Sequence, residues 1–210
     1  MSSITQPIAT TAPDISSFGA GGQQYMASIW GGFGIKSASQ TINPLFAFSA
    51  NDGNVENAAQ LTNLMEARKV GSTMAFRAVR VGFRFLWFAG SIPTLEELEH
   101  AKQLMASAHI TLTVGANETK IAEFSGLDLM QPIDVAAGDA TNTAAASAGL
   151  NGGIGWIQLA MPIEIQQNVN IGGTVRFTRA IAGDLVPAQA TDPAVCGFVV
   201  IMQGLKVVKS

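Results

Sequence analysis

From Ala75 to Phe88 the chain alternates with a period of two: Val79, Val81, Phe83, Phe85 and Trp87 fall on one side, Arg80, Gly82 and Arg84 on the other. A helix would scatter these positions around its axis. Only an extended strand sorts them into one apolar face and one wet or partner-facing face. A strand this long needs a sheet to pair with and a second layer to cover its apolar side. The closing segment Val195 to Val208 sharpens the requirement, because Cys196, Phe198, Val199, Val200, Ile201 and Met202 leave its middle apolar on both faces. It is expected to be a central strand.

Further strands are expected at His109 to Val114 and, across a turn at Gly115, Ala116 and Asn117, at Lys120 to Phe124, forming a hairpin. Others are expected near Leu127 to Met130 and at Ile154 to Met161, Ile163 to Val169 and Thr174 to Ile181. Two segments break this rhythm. In Ser91 to Ala108, Thr94 and Glu97 form a capping box ahead of an apolar stripe of Leu95, Leu98, Ala101, Leu104 and Met105, which predicts a helix. Within Asn51 to Arg68, Val55, Ala58, Ala59, Leu61, Leu64 and Met65 fall at helical spacing, Asn54 can cap the start and Gly71 follows the end, so a short amphipathic helix is expected there. No repeat and no composition break divides the 210 residues. Residues 1–44, rich in Ser, Thr, Ala, Gly and Gln, read as an extended N-terminal arm, and residues 45–210 as a single domain. The arm carries Tyr25, Trp30 and Phe33, large groups that are costly in water. They are expected to dock, either on their own domain or as contacts to a neighbouring subunit. Residues 134–153 read as a long surface loop. The fold class expected is all-β: an antiparallel two-sheet sandwich, a single jelly roll with one or two inserted short helices.

Charge is scarce. Only 13% of the residues are Asp, Glu, Lys or Arg against 48% hydrophobic, and the net charge is -3. A chain that coats nucleic acid through a strongly basic surface is not expected from that balance. The single Cys196 excludes an intramolecular disulfide, and a core of this size does not need one. The first residues lack the basic start and apolar run of a secretory signal, and no 18-residue apolar run occurs, so a soluble protein made in the cytoplasm is expected.

Chemistry is sparse. The two histidines, His100 and His109, do not stand at metal-ligand spacing with each other or with Cys196, and no nucleophile elbow occurs. Gly149, Gly152, Gly153 and Gly155 lack the Lys-Ser or Lys-Thr of a phosphate cradle. Glu96, Glu97 and Glu99 read as a solvated first helical turn. No catalytic residue, cofactor, metal or small-molecule substrate is expected, and the protein is not expected to be an enzyme. One charge feature stands apart: between Glu66 and Glu96 lie Arg68, Lys69, Arg77, Arg80 and Arg84 and no acid. These arginines serve either as ion-pair partners across strands or subunits, or as a basic patch of Arg77, Arg80 and Arg84 facing lipid headgroups or a packaged genome.

The Gly, Ser and Thr-rich arm before Pro44, the strand Ala75 to Phe88 and the helix Thr94 to Ala108 together resemble a jelly-roll capsid protein of a tailless icosahedral bacteriophage. The run from Gly155 to Ile165 and the strand Val195 to Val208 extend that likeness. The resemblance is one of architecture and composition, without a diagnostic motif. It implies a virion protein whose copies assemble into trimers or larger capsomers, with other virion proteins, an internal membrane or the genome as further partners. The alternative reading is a β-sandwich carbohydrate- or ligand-binding module.

Overall fold

The structure is a computed structural model that describes residues 22–71, 74–129, 156–188 and 193–209. The expected loop at 134–153, the first 21 residues of the arm and the glycines from Gly149 to Gly155 lie outside the described residues. Among the described residues eight strands follow in chain order: β1 (Gly22–Gly34), β2 (Ile42–Leu45), β3 (Met74–Trp87), β4 (Ala108–Val114), β5 (Thr119–Ser125), β6 (Trp156–Ile165), β7 (Ile171–Phe177) and β8 (Cys196–Lys209). They form two four-stranded antiparallel sheets, ordered β1-β8-β3-β6 and β2-β7-β4-β5.

The pairing has a simple logic. β1 pairs with β8, β2 with β7, β3 with β6 and β4 with β5, so the chain runs as one long four-rung hairpin. Rolling that hairpin brings β8 against β3 and β7 against β4, which closes the two sheets. This is the winding of a jelly roll. β8 is central, paired on both sides, in keeping with its apolar middle. Between the sheets Phe198 is the hub of an aromatic cluster, with ring centroids 5.4 Å from Phe177, 5.5 Å from Phe85, 5.6 Å from Phe83 and 5.9 Å from Phe33. Ile110, Leu112 and Val175 of the second sheet are fully buried against it.

Between β3 and β4 the chain crosses sheets through α2 (Leu95–Ala106), preceded in the chain by a one-turn α1 (Ala58–Leu61) and followed by α3 (Gly126–Leu129). The expected capping box is present: Glu97 N donates to Thr94 Oγ1 (3.2 Å) and Thr94 N donates to Glu97 Oε2 (2.6 Å). Leu98, Ala101, Leu104 and Met105 join the core, whereas Leu95 stays half exposed.

Several segments depart from the sequence reading. The described part of the arm docks on its own domain, the first of the two expectations, but as part of the fold itself: Gly22–Gly34 is an edge strand, and Ile29, Phe33 and Ile35 enter the core. The helix expected over Asn51 to Arg68 shrinks to the single turn α1. Asn57 is left-handed (φ 57°), and the Asp52 carboxylate takes the Asn54 N–H in a tight turn. The side chains beyond α1 are committed to the free edge of β1: Asn63 Oδ1 accepts from Trp30 N (3.0 Å), Asn63 Nδ2 donates to Ser28 O (2.8 Å) and Thr62 Oγ1 donates to Trp30 O (3.0 Å). That covers an edge otherwise open to pairing. Leu127 to Met130, expected as strand, begins instead with the helical turn α3, where Gly126 is pressed against Met105 O. The two strands expected around Pro162 are one edge strand, β6. Its ladder stops at Gln158 and resumes at Ile163, leaving Pro162 where no N–H is needed.

Candidate functional site

β3 is the element that builds the candidate site. Phe76 and Ala78 point into the core on even positions, and Val81, Phe83 and Phe85 on odd ones. The switch of phase occurs at Val79, the extra residue of a β-bulge between Ala78 and Arg80 in the ladder with β8; in the ladder with β6 the same step spans Ile163 to Gln158, so there the surplus residues lie on β6. Simple alternation would have placed Arg77 on the core side. The bulge instead sets Arg77, Arg80 and Arg84 on one outer face of the sheet.

There the neighbours in register decide what each arginine does. Arg77 stands opposite Glu164 of β6, with Nε 3.4 Å from Oε1, and is an ion-pair partner. Arg80 Nε donates to Gln203 Oε1 on β8, and its guanidinium lies 4.7 Å from the centre of the Trp156 ring. Arg84 approaches the same ring at 5.8 Å. Among the described residues neither Arg80 nor Arg84 has a carboxylate partner. Arg84 Nε is buried with no acceptor among the described residues, and burial pushes its guanidinium below the ordinary value. Such an unmet buried donor is unusual in a folded protein.

These side chains line a groove of about 380 Å³ on the outer face of the first sheet. Val199, Ile201 and Leu86 supply apolar lining, Trp156 stands on the edge strand β6, and Trp30 and Gln60 stand on the side of β1 and α1. Trp30 Nε1 donates to Gln60 O (3.2 Å), which fixes the indole against α1. α1 reaches this face because β8 is bare at Gly197, where a Cβ would come within 3.0 Å of Leu61 Cδ2.

Of the residues expected from the sequence, Arg80, Arg84 and Trp30 meet in this groove, and Arg77 lies beside it. Tyr25 is half exposed and stands opposite Lys206, whose Nζ lies 5.7 Å from the ring. Phe33, expected as a possible subunit contact, is 5% exposed and packs on Phe177 and Phe198. Its place in the strand register turns it inward. Sequence reasoning did not find Trp156, Gln203 or Gln60 as members of the site, since the pairing of β3 with β6 and β8 brings the first two there and the packing of α1 against β1 and β8 brings Gln60.

Elsewhere the reactive side chains are engaged locally. His100 Nδ1 lies 2.9 Å from Asp184 Oδ2, and His109 Nε2 contacts Glu123 Oε1. Lys120, 2.6 Å from Glu123, holds that carboxyl below its usual range. Among the described residues no three His, Cys, Asp or Glu side chains gather as a metal site would need. The arrangement therefore offers recognition through cations, indoles and an apolar lining. Comparison of the chain with protein-family models, with curated proteins and with solved structures gives no match.

Proposed function

We propose that this chain is a structural virion protein, a capsid subunit of a tailless icosahedral phage that self-assembles through its jelly-roll domain and loops. The observation that carries the reading is the jelly-roll winding combined with a charge-poor exterior that exposes apolar side chains on many sides. Jelly rolls are a recurrent unit of viral shells. Met26, Ile42, Met65, Ile92, Ile121, Leu127 and Met161 are all more than a third exposed, and they come from both sheets and several connections. A dimer needs one such face, whereas a shell subunit meets neighbours in several directions. Low charge supports this, because surfaces brought together then bury few unpaired ions. Copies of the same chain are the primary partners, other virion proteins the secondary ones, and the virion is the destination.

Light scattering and electron microscopy of the purified protein test this reading. Capsomers or particles are expected, and a chain that stays monomeric at high concentration would overturn it. A second reading, a carbohydrate- or ligand-binding module, draws on the groove between Trp30 and Trp156. A monomer that binds an oligosaccharide in titration, and loses binding in Trp30→Ala, would replace the first reading with the second.

A further inference from the structure

The ion pairs of the described residues leave a specific remainder. Lys36, Arg68, Lys69, Arg77 and Lys120 each have a carboxylate within 4.0 Å. Arg80, Arg84, Lys102, Arg176, Arg179 and Lys206 have none, and of these Arg80 and Arg84 converge on one indole above an apolar lining. On the acidic side, Glu97 closes the capping box, but Glu96 and Glu99 are exposed on α2 and make no ion pair among the described residues. Three residues apart on a helix, they are neighbours on its surface. Beside them stand Ile92, 52% exposed, and Leu95, 49% exposed. The molecule thus carries a groove with two cations over apolar side chains, and a corner with two anions beside apolar side chains.

We propose that the groove receives the Ile92, Leu95, Glu96 and Glu99 corner of a second copy, with Glu96 and Glu99 meeting Arg80 and Arg84. The proposal rests on the assembly reading above and names one contact within it. Identical copies of net charge -3 repel at long range, so a stable contact between them needs local matching of opposite charge. Within its own chain the corner makes no ion pair with these arginines, which leaves both surfaces open for another copy. Arginine's planar fork suits carboxylates, and neither guanidinium has one among the described residues. The contact is heterologous, with different patches on the two copies, so it propagates into rings or shells instead of closing a two-fold dimer.

A charge-swap experiment tests it, with assembly read by analytical ultracentrifugation and folding by circular dichroism. The groove variant Arg80→Glu/Arg84→Glu and the corner variant Glu96→Arg/Glu99→Arg should each weaken association at least about tenfold. The four changes combined in one chain should restore association, and mixing the two double variants should produce co-assembly that neither shows alone. Since the corner is exposed, its variant remains informative even where the groove variant folds poorly. Wild-type assembly that survives the corner variant would overturn this contact and leave the capsid reading standing. A wild-type chain that never associates would overturn both. Binding of the monomer to anionic vesicles or to an oligonucleotide, lost in the groove variant while assembly persists, would assign the arginines to phosphate instead and overturn the contact.

Discussion

Cys196 shows how strongly one side chain's surroundings set its chemistry. It is fully buried in β8, its Sγ 3.7 Å from Leu185 O, and burial, helped by the charges of Asp184 and Glu97, pushes its thiol up to about 12. The folded chain therefore keeps this thiol neutral. Its contribution to stability is complete below about 9, where the thiol of the unfolded chain titrates, and is lost as pH rises toward 12. A thiol reagent at pH 8 should modify Cys196 only at the rate of unfolding; fast modification of the native protein would contradict its burial. Gly31 makes a steric point of the same kind. A Cβ there would fall 2.3 Å from the ring of Phe46, itself buried and left-handed at φ 59°. Gly31→Ala should cost about 1–3 kcal/mol through overpacking, measured as a lower denaturation midpoint.

At the level of the element, β3 depends on one inserted residue. Without Val79, either Phe76 and Ala78 or Val81, Phe83 and Phe85 would face away from the core, since a one-residue slip reverses every side chain beyond it. Deleting Val79 should abolish cooperative unfolding. Val79→Ala, which keeps the count, should stay within about 1 kcal/mol of the parent, the range of an ordinary half-buried substitution. Equal behaviour of the two variants in thermal denaturation would show that the bulge is dispensable. α2 was legible in advance, because its capping box and apolar stripe are local signals that need no knowledge of the fold. The helix over Asn51 to Arg68 was not, because its apolar residues serve two surfaces: Leu64 joins the core, while Leu61 packs over Gly197 on the opposite face of the sheet. Helical spacing cannot tell those destinations apart.

Across the whole molecule, the N-terminal segment is where sequence and structure disagree most. Read as an arm, residues 1–40 look removable without harm to the domain. In the fold they contain β1, which pairs with the whole length of β8 and sends Ile29, Phe33 and Ile35 into the core. Each of those side chains contributes about 1.5–3 kcal/mol, so their sum rivals the entire stability of a typical domain. Deletion of residues 1–40 should therefore leave an unfolded or aggregated chain. Deletion of residues 1–21 retains the eight strands of the described residues and should preserve the β-sheet circular dichroism.

The sequence by itself determined the class of fold, the strand character of β3 and β8, the capped helix between sheets and the shortage of charge that makes an assembling surface plausible. Those are properties of periodicity and composition, carried by residues close together in the chain. The partners of the arginines were decided only by tertiary structure. Glu164 and Gln203 lie 87 and 123 residues along the chain from Arg77 and Arg80, and Trp156 lies 76 residues from Arg80. Strand register and one bulge bring them together, and register is a property of the rolled hairpin as a whole, set when both sheets bury their apolar faces at once.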